Sequence, residues 1–209
     1  MSQRIRQTKR GSLAAAGGIE RLHEVATGLF AQRGYGETSM KEIADALGIQ
    51  PPSIYNYVSS KQAILDAVCL ETMQGAATAV KTGLTLCDDV VVQVKRGIEE
   101  QVRYRLAHSD AILVLTRETL NLSPRVRTDV IALRDEQREM WFQVIERGVH
   151  EGVFTSPNSR LTALLLQDMC NWLQLLHFTR EQPTPTAQLI YWYGEQALNL
   201  LMPAPRRPI

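Results

Sequence analysis

The chain contains no unbroken apolar run of about 18 residues, and its start, MSQRIRQTKRGS, lacks the apolar stretch that follows the basic end of a secretory signal. Neither a membrane span nor an export signal is expected, and a cytoplasmic protein is. Cysteine is scarce: Cys69, Cys87 and Cys170 lie far apart with no C-x-x-C spacing, which excludes a disulfide framework or zinc site of ordinary pattern. The four histidines, His23, His108, His150 and His177, are equally scattered, and none pairs with another at the i, i+4 spacing of a helical metal site. Also missing are GxSxG, HExxH, a Walker A loop, GxGxxG and any run of alternating β-type residues. These absences speak against an enzyme, a metal, a bound cofactor and a sheet.

What is present is helical periodicity almost throughout. GIERLHEVATGLFAQRGY sets Ile19, Leu22, Val25, Ala26, Leu29 and Phe30 at helical spacing and stops at Gly34 and Gly36. TSMKEIADALG follows, with Ser39 and Glu42 in the S-x-x-E order of a capping box and Gly48 as terminator. Pro51 and Pro52 then open a third helix, expected over 51–58, because the first turn leaves its N–H groups unpaired anyway. A longer helix is expected after Ser59 or Ser60. Further helices are expected over roughly 88–107, 110–120, 124–151, 159–178 and 184–202, separated by turn-rich NLSP, EGVFTSPNS and REQPTP. The fold class is all-α, three short helices ahead of a larger helical body.

Charge is placed unevenly. The net charge is +1, yet residues 1–61 hold eight Lys and Arg against five Asp and Glu, and Arg4, Arg6, Lys9 and Arg10 form a basic arm. Such an arm suits a polyanionic partner. The segment GIQPPSIYNYVSSK supplies the rest of the argument, since two helices joined by LGIQ, the second crowded with polar groups, match a helix-turn-helix whose second helix enters the major groove. Ile54 and Val58 would pack inward, leaving Ser53, Tyr55, Asn56 and Tyr57 outside; Asn suits the two-pronged edge of adenine, and Lys61 can add charge at a phosphate. So short a helix makes few base contacts, so two copies on successive half-sites, a homodimer, are expected. The last two helices offer the interface, with Leu161, Leu164, Leu165, Trp172, Leu173 and Leu176 on one and Leu189, Trp192, Tyr193, Leu198 and Leu201 on the other.

Residues 21–68 resemble the DNA-binding domain of the TetR family of transcriptional regulators. The resemblance lies in Ala26, Leu29-Phe30, Gly34-Tyr35, Thr38-Ser39, Ile43-Ala44, Gly48-Ile49, Ile54-Tyr55, Tyr57-Val58 and Ser60-Lys61, in order and spacing. It implies that Thr38 and Ser39 contact phosphate, that Gln50, Pro51, Pro52, Ser53 and Asn56 face bases, and that Tyr55, Tyr57 and Lys61 grip the backbone. Pro52 and Val58 depart from the family, which usually carries a small or charged residue and Phe there.

The same resemblance implies a ligand pocket in the body and a dimer built from the last two helices. Arg103, Tyr104, His108, Trp141, Asn171 and Trp172 are the candidate pocket residues. The stretches ALRDEQREMWFQVIERGVHEGVF and LLLQDMCNWLQLLHF are further similar to a subgroup that regulates acyl-CoA catabolism, through Asn171-Trp172 and the Gly148/Gly152-Val153-Phe154 turn. That likeness implies an acyl-CoA thioester as effector, with Arg134, Arg138 or Arg103 at its phosphates. The expected organisation is a basic arm over 1–15, a helix-turn-helix domain over 16–61, a ligand-binding and dimerisation domain over 62–204 and a tail over 205–209. The expected function is an effector-released repressor on double-stranded operator DNA; the competing reading is a helical small-molecule-binding protein or enzyme with no role on DNA.

Overall fold

The computed structural model of the chain describes residues 17–171, 173 and 184–202. Among them there are helices and turns and no strand. In order they are α1 (Gly18–Arg33), α2 (Met40–Leu47), α3 (Pro51–Ile54), α4 (Lys61–Leu84), α5 (Val90–Ala107), α6 (Ser109–Glu118), a 3-10 turn (Thr119–Asn121), α7 (Pro124–His150), α8 (Ser159–Asp168) and α9 (Thr186–Leu201).

Local chemistry sets most of these boundaries. The Ser39 hydroxyl accepts from the Glu42 N–H while the Glu42 carboxylate takes the Ser39 N–H, a complete capping box. Gly48 ends α2 at a φ of 71°, left-handed backbone that a side chain would strain. Ser60, Asp89 and Asn158 cap α4, α5 and α8 through their side chains.

Two segments differ from the periodic reading. The third helix is a single α-turn, Pro51–Ile54, after which the chain tightens, with Asn56 N–H bonded to Ser53 O and Tyr57 N–H to Ile54 O. The eighth is interrupted after Asp168 by turns at residues 169–171, Leu173 is helical again, and the rest of the span expected to 178 lies outside the described residues. Gln101 Nε2 takes the Gln167 carbonyl at 3.3 Å, so the Asn171 N–H turns to Asp168 O at 3.0 Å, and the helical ladder tightens into turns.

Apolar residues form two clusters. The first joins α1–α4 with α6 and the start of α7 around Leu22, Phe30, Ile43, Ile54, Ile64 and Leu65; the second joins the far half of α4 with α5, α7, α8 and α9 around Val94, Ile98, Trp141 and Ile145. α4 runs through both, which accounts for a composition apolar enough to cross a membrane in a helix half of whose most apolar window is buried inside the protein. Leu173 and Leu201, expected at the dimer interface, are buried in the second cluster; Leu161, Leu165 and Trp192 are exposed, and Trp172 and Leu176 lie outside the described residues.

α4 and α5 meet at glycines. A Cβ on Gly83 would stand 2.5 Å from the Arg96 carbonyl oxygen and 2.6 Å from Gly97 Cα, and backbone cannot rotate away. Gly83→Ala is therefore expected to force the two helices apart and to cost about 1–3 kcal/mol, as overpacked sites do, in a urea unfolding curve.

Candidate functional site

The polar segment after α2 is held from below and open above. Ile54 is fully buried and fixes the turn on α1 and α2. Around it Gln50, Pro52, Tyr55 and Asn56 are exposed, while Pro51, Ser53 and Tyr57 are half-buried. Tyr55 exposes 56% of its surface, so it belongs to this outer face and not to the core. Tyr57 leans its ring against the first apolar cluster, as Val58 does. Ser39 is exposed at the N-terminus of α2, where its N–H and hydroxyl bind Glu42 at 2.8 Å and hold that carboxyl below its usual range.

Two of the expected phosphate contacts sit elsewhere. Thr38 is only 1% exposed, and its hydroxyl donates to Gly34 O at 2.9 Å, closing the end of α1. The Lys61 ammonium donates to Tyr35 O and Thr38 O at 2.7 Å and to Gly36 O at 3.4 Å, and lies 4.4 Å from the centre of the Tyr35 ring. A lysine has three N–H donors, so Lys61 is committed to the loop between α1 and α2. Both residues brace the polar segment from behind.

The candidate pocket residues separate. Tyr104 and His108 stack at 4.3 Å in a cleft of about 490 Å³ between α1, α4 and the α5–α6 junction, which also takes His23 and Glu71. Tyr104 crosses α4 over Gly75, whose added Cβ would meet its hydroxyl at 2.2 Å, and donates to Thr72 O. Asn171 instead lines a cavity of about 270 Å³ inside the body, enclosed by α4, α5, α6, α7 and α8. Trp141 belongs to neither: it is fully buried in the second cluster, its ring against Gly97. Arg103 is surface-exposed and pairs with Glu100 on its own helix, so it reaches no cavity. Trp172 and the basic arm lie outside the described residues.

The inner cavity brings together groups that were not singled out. Arg105 from α5 donates to Asn171 Oδ1 at 2.8 Å, and Arg134 and Arg138 reach in from α7 with the buried Gln137. Gln167 Nε2 donates to Gln137 Oε1 at 2.6 Å, and Gln137 Nε2 to Ala76 O at 3.2 Å, an amide chain across the floor. Burial lowers the pKa of Arg105 and of Arg134, each further lowered by a neighbouring arginine. The signal for Arg105 was in the sequence: Ile98, Gln101, Val102 and Arg105 follow the i, i+3, i+4, i+7 rule of one buried face, from which Arg103 points away.

The fold and the sequence have known counterparts. Residues 22–68 match the family described as bacterial regulatory proteins, tetR family, and residues 88–175 match the tetracyclin repressor-like C-terminal domain. The chain is 32% identical to the HTH-type transcriptional repressor KstR2 of Rhodococcus jostii (strain RHA1) over 140 residues, 65% of this chain and 67% of that one. Its fold superposes with a TM-score of 0.78 on the TetR family regulator PfmR of Thermus thermophilus, at 28% identity over 86% of this chain and 97% of the other. AibR, solved with isovaleryl coenzyme A and operator DNA, superposes with a TM-score of 0.76 at 18% identity, covering 88% of this chain and 98% of that one.

Proposed function

The chain belongs to the TetR family of bacterial regulators, and on that premise we propose that it is a repressor that leaves its operator when a small molecule enters the cavity of Arg105 and Asn171. The observation that carries the DNA half is the outward face of Gln50, Pro52, Tyr55 and Asn56 on a turn anchored by Ile54. Gln50 and Asn56 present amides to base edges, Pro51, Pro52 and Ser53 shape the approach, and Tyr55, Tyr57 and Ser39 hold phosphate oxygens. It works as a homodimer through α8 and α9, whose exposed Leu161, Leu165, Tyr191 and Trp192 gain by being covered. In this reading residues 16–61 are the DNA-binding head, 62–204 the body, and the cytoplasm the site of action. We assign the chain no catalytic role.

The effector in this reading is an acyl-CoA thioester, as in the AibR complex. Its acyl end enters the inner cavity, and Arg134 takes a phosphate group. Release follows if the ligand favours the head spacing that does not fit DNA, with a coupling of about 1–3 kcal/mol.

Fluorescence anisotropy on DNA from upstream of its own gene, across a salt series, tests this. Selective binding that weakens with salt, is reduced roughly 10- to 100-fold by Asn56→Ala and is lost on adding one thioester of a panel is the expected result. Binding no stronger than to random DNA at any salt, with full-length folded protein, favours the competing reading.

A further inference from the structure

We infer that the group the inner cavity receives beside Arg105 is a carboxylate, belonging either to a free organic acid or to the far end of a carboxylated acyl thioester; this rests on the cavity being the effector site. Arg105 is the anchor. One of its terminal nitrogens holds Asn171 Oδ1 at 2.8 Å, while its Nε is sealed from solvent and finds no acceptor among the described residues. A guanidinium Nε–H sealed from solvent and left unanswered is unusual, since such groups are normally hydrogen-bonded.

The neighbouring acids are engaged elsewhere. Asp168 is exposed and accepts from Asn171 Nδ2 at 2.6 Å, and Asp135 pairs with Arg138 on the outer side of α7. Arg134 adds a second positive charge to the cavity, while Arg138 is paired with Asp135, and the lining holds the single carboxylate of Asp168. The excess is cationic. Burial already disfavours the charge on Arg105, so an anion at this place would relieve it.

Shape selects among anions. The fork of an arginine matches a planar carboxylate through two parallel N–H bonds. A tetrahedral phosphate seeks donors on several sides, yet Arg105 has already given a terminal nitrogen to Asn171, and Arg138 is turned to Asp135. Met73, Ala76, Ile112 and Leu115 provide an apolar wall for a short carbon skeleton. At about 270 Å³ the cavity lies just below the usual range for small-molecule pockets, about 300–1,000 Å³, and encloses one end of a thioester or a small acid whole.

Calorimetric titration of the full-length protein with benzoate and glutarate, with benzamide and glutaramide, and with inorganic phosphate provides the test. Butyryl-CoA and glutaryl-CoA are added in parallel with operator release as readout. The expected result is that the acids bind at least tenfold tighter than their amides or phosphate, or glutaryl-CoA tenfold tighter than butyryl-CoA, and that Arg105→Gln, checked for folding by circular dichroism, erases the preference. Preference among the free acids identifies an acid effector, and preference only between the thioesters a carboxylated acyl group. Arg105→Lys, which keeps the charge without the fork, should lose most of the preference and serves if Arg105→Gln fails to fold. Equal binding of amides and acids together with equal potency of the two thioesters, tightest binding of phosphate, or a preference that survives both substitutions overturns the inference. If butyryl-CoA releases operator as well as glutaryl-CoA does and no acid is preferred, the carboxylate is discarded and the effector cavity stands. If nothing binds, both fall.

Discussion

Lys61→Met is expected to weaken operator binding by one to two orders of magnitude and to lower the unfolding free energy by about 2 kcal/mol, the scale of a charge-assisted hydrogen bond. The stability loss arises because the ammonium gathers the carbonyls of Tyr35, Gly36 and Thr38, residues 23 to 26 positions earlier in the chain. Methionine keeps the apolar stem out to the Cε position and removes the ammonium with its charge and donors. Without them the loop between α1 and α2 loosens. Ser39 and the first turn of α2 start from that loop, and α2 supports the turn at Ile54, so the outward face of Tyr55 and Asn56 loses its fixed setting. The affinity loss is then a loss of preorganisation.

Salt separates this from a direct phosphate contact. Deleting a phosphate-binding lysine lowers the salt slope of operator binding by about 1 and leaves folding untouched. Deleting a brace lowers the urea midpoint and leaves the slope where it was. An unchanged urea midpoint together with a reduced slope would sink the brace and restore Lys61 to the phosphate backbone.

Trp141→Ala is expected to cost about 3–5 kcal/mol, a lowering of the melting temperature of roughly 6–20 °C for a chain of this size. The indole is fully buried and packs its far edge against Gly97, where a Cβ would come within 2.6 Å of the ring. Its removal opens a large cavity between α5 and α7 that glycine cannot refill. Trp141→Phe should lose less, and because the ring touches neither cavity, effector potency at saturating protein should not change. A Trp141→Phe protein of ordinary stability that no longer answers the effector would place Trp141 in ligand recognition after all. Denaturant melts and operator-release titrations on both variants decide it.

What could be read in advance was local. The capping box at Ser39 and Glu42, the proline start at Pro51, the glycine stop at Gly48 and a serine cap at Ser59 or Ser60 act within a few residues, and spacing along the chain reveals them. Burial of Ile54 and exposure of Asn56 followed from the apolar pattern. The bonds that Thr38 and Lys61 make within the protein were not legible, because their partners are backbone carbonyls brought near only by folding. The end of α8 depends on an amide from α5, 66 positions away, competing for the Gln167 carbonyl. Arg103 and Arg105 look alike in composition, and only helical phase tells the exposed one from the one that lines the cavity.

The short 3-10 turn after α6 belongs to two neighbourhoods at once. Thr119 lines the inner cavity, and two residues on, the Asn121 carbonyl accepts Gln62 Nε2 at 3.0 Å, while Gln62 Oε1 takes the Tyr35 hydroxyl at 3.1 Å. A ligand that shifts this turn therefore pulls on the first turn of α4 and on the loop that Lys61 holds. Linkage makes the pull mutual: whatever factor the ligand takes from DNA affinity, DNA takes from ligand affinity. A protomer seated on its operator then needs more effector than a free one. The concentration at which genes switch on would be set partly by the ratio of operator copies to repressor dimers, so that adding binding sites to a genome would raise the threshold without altering a single residue of the protein.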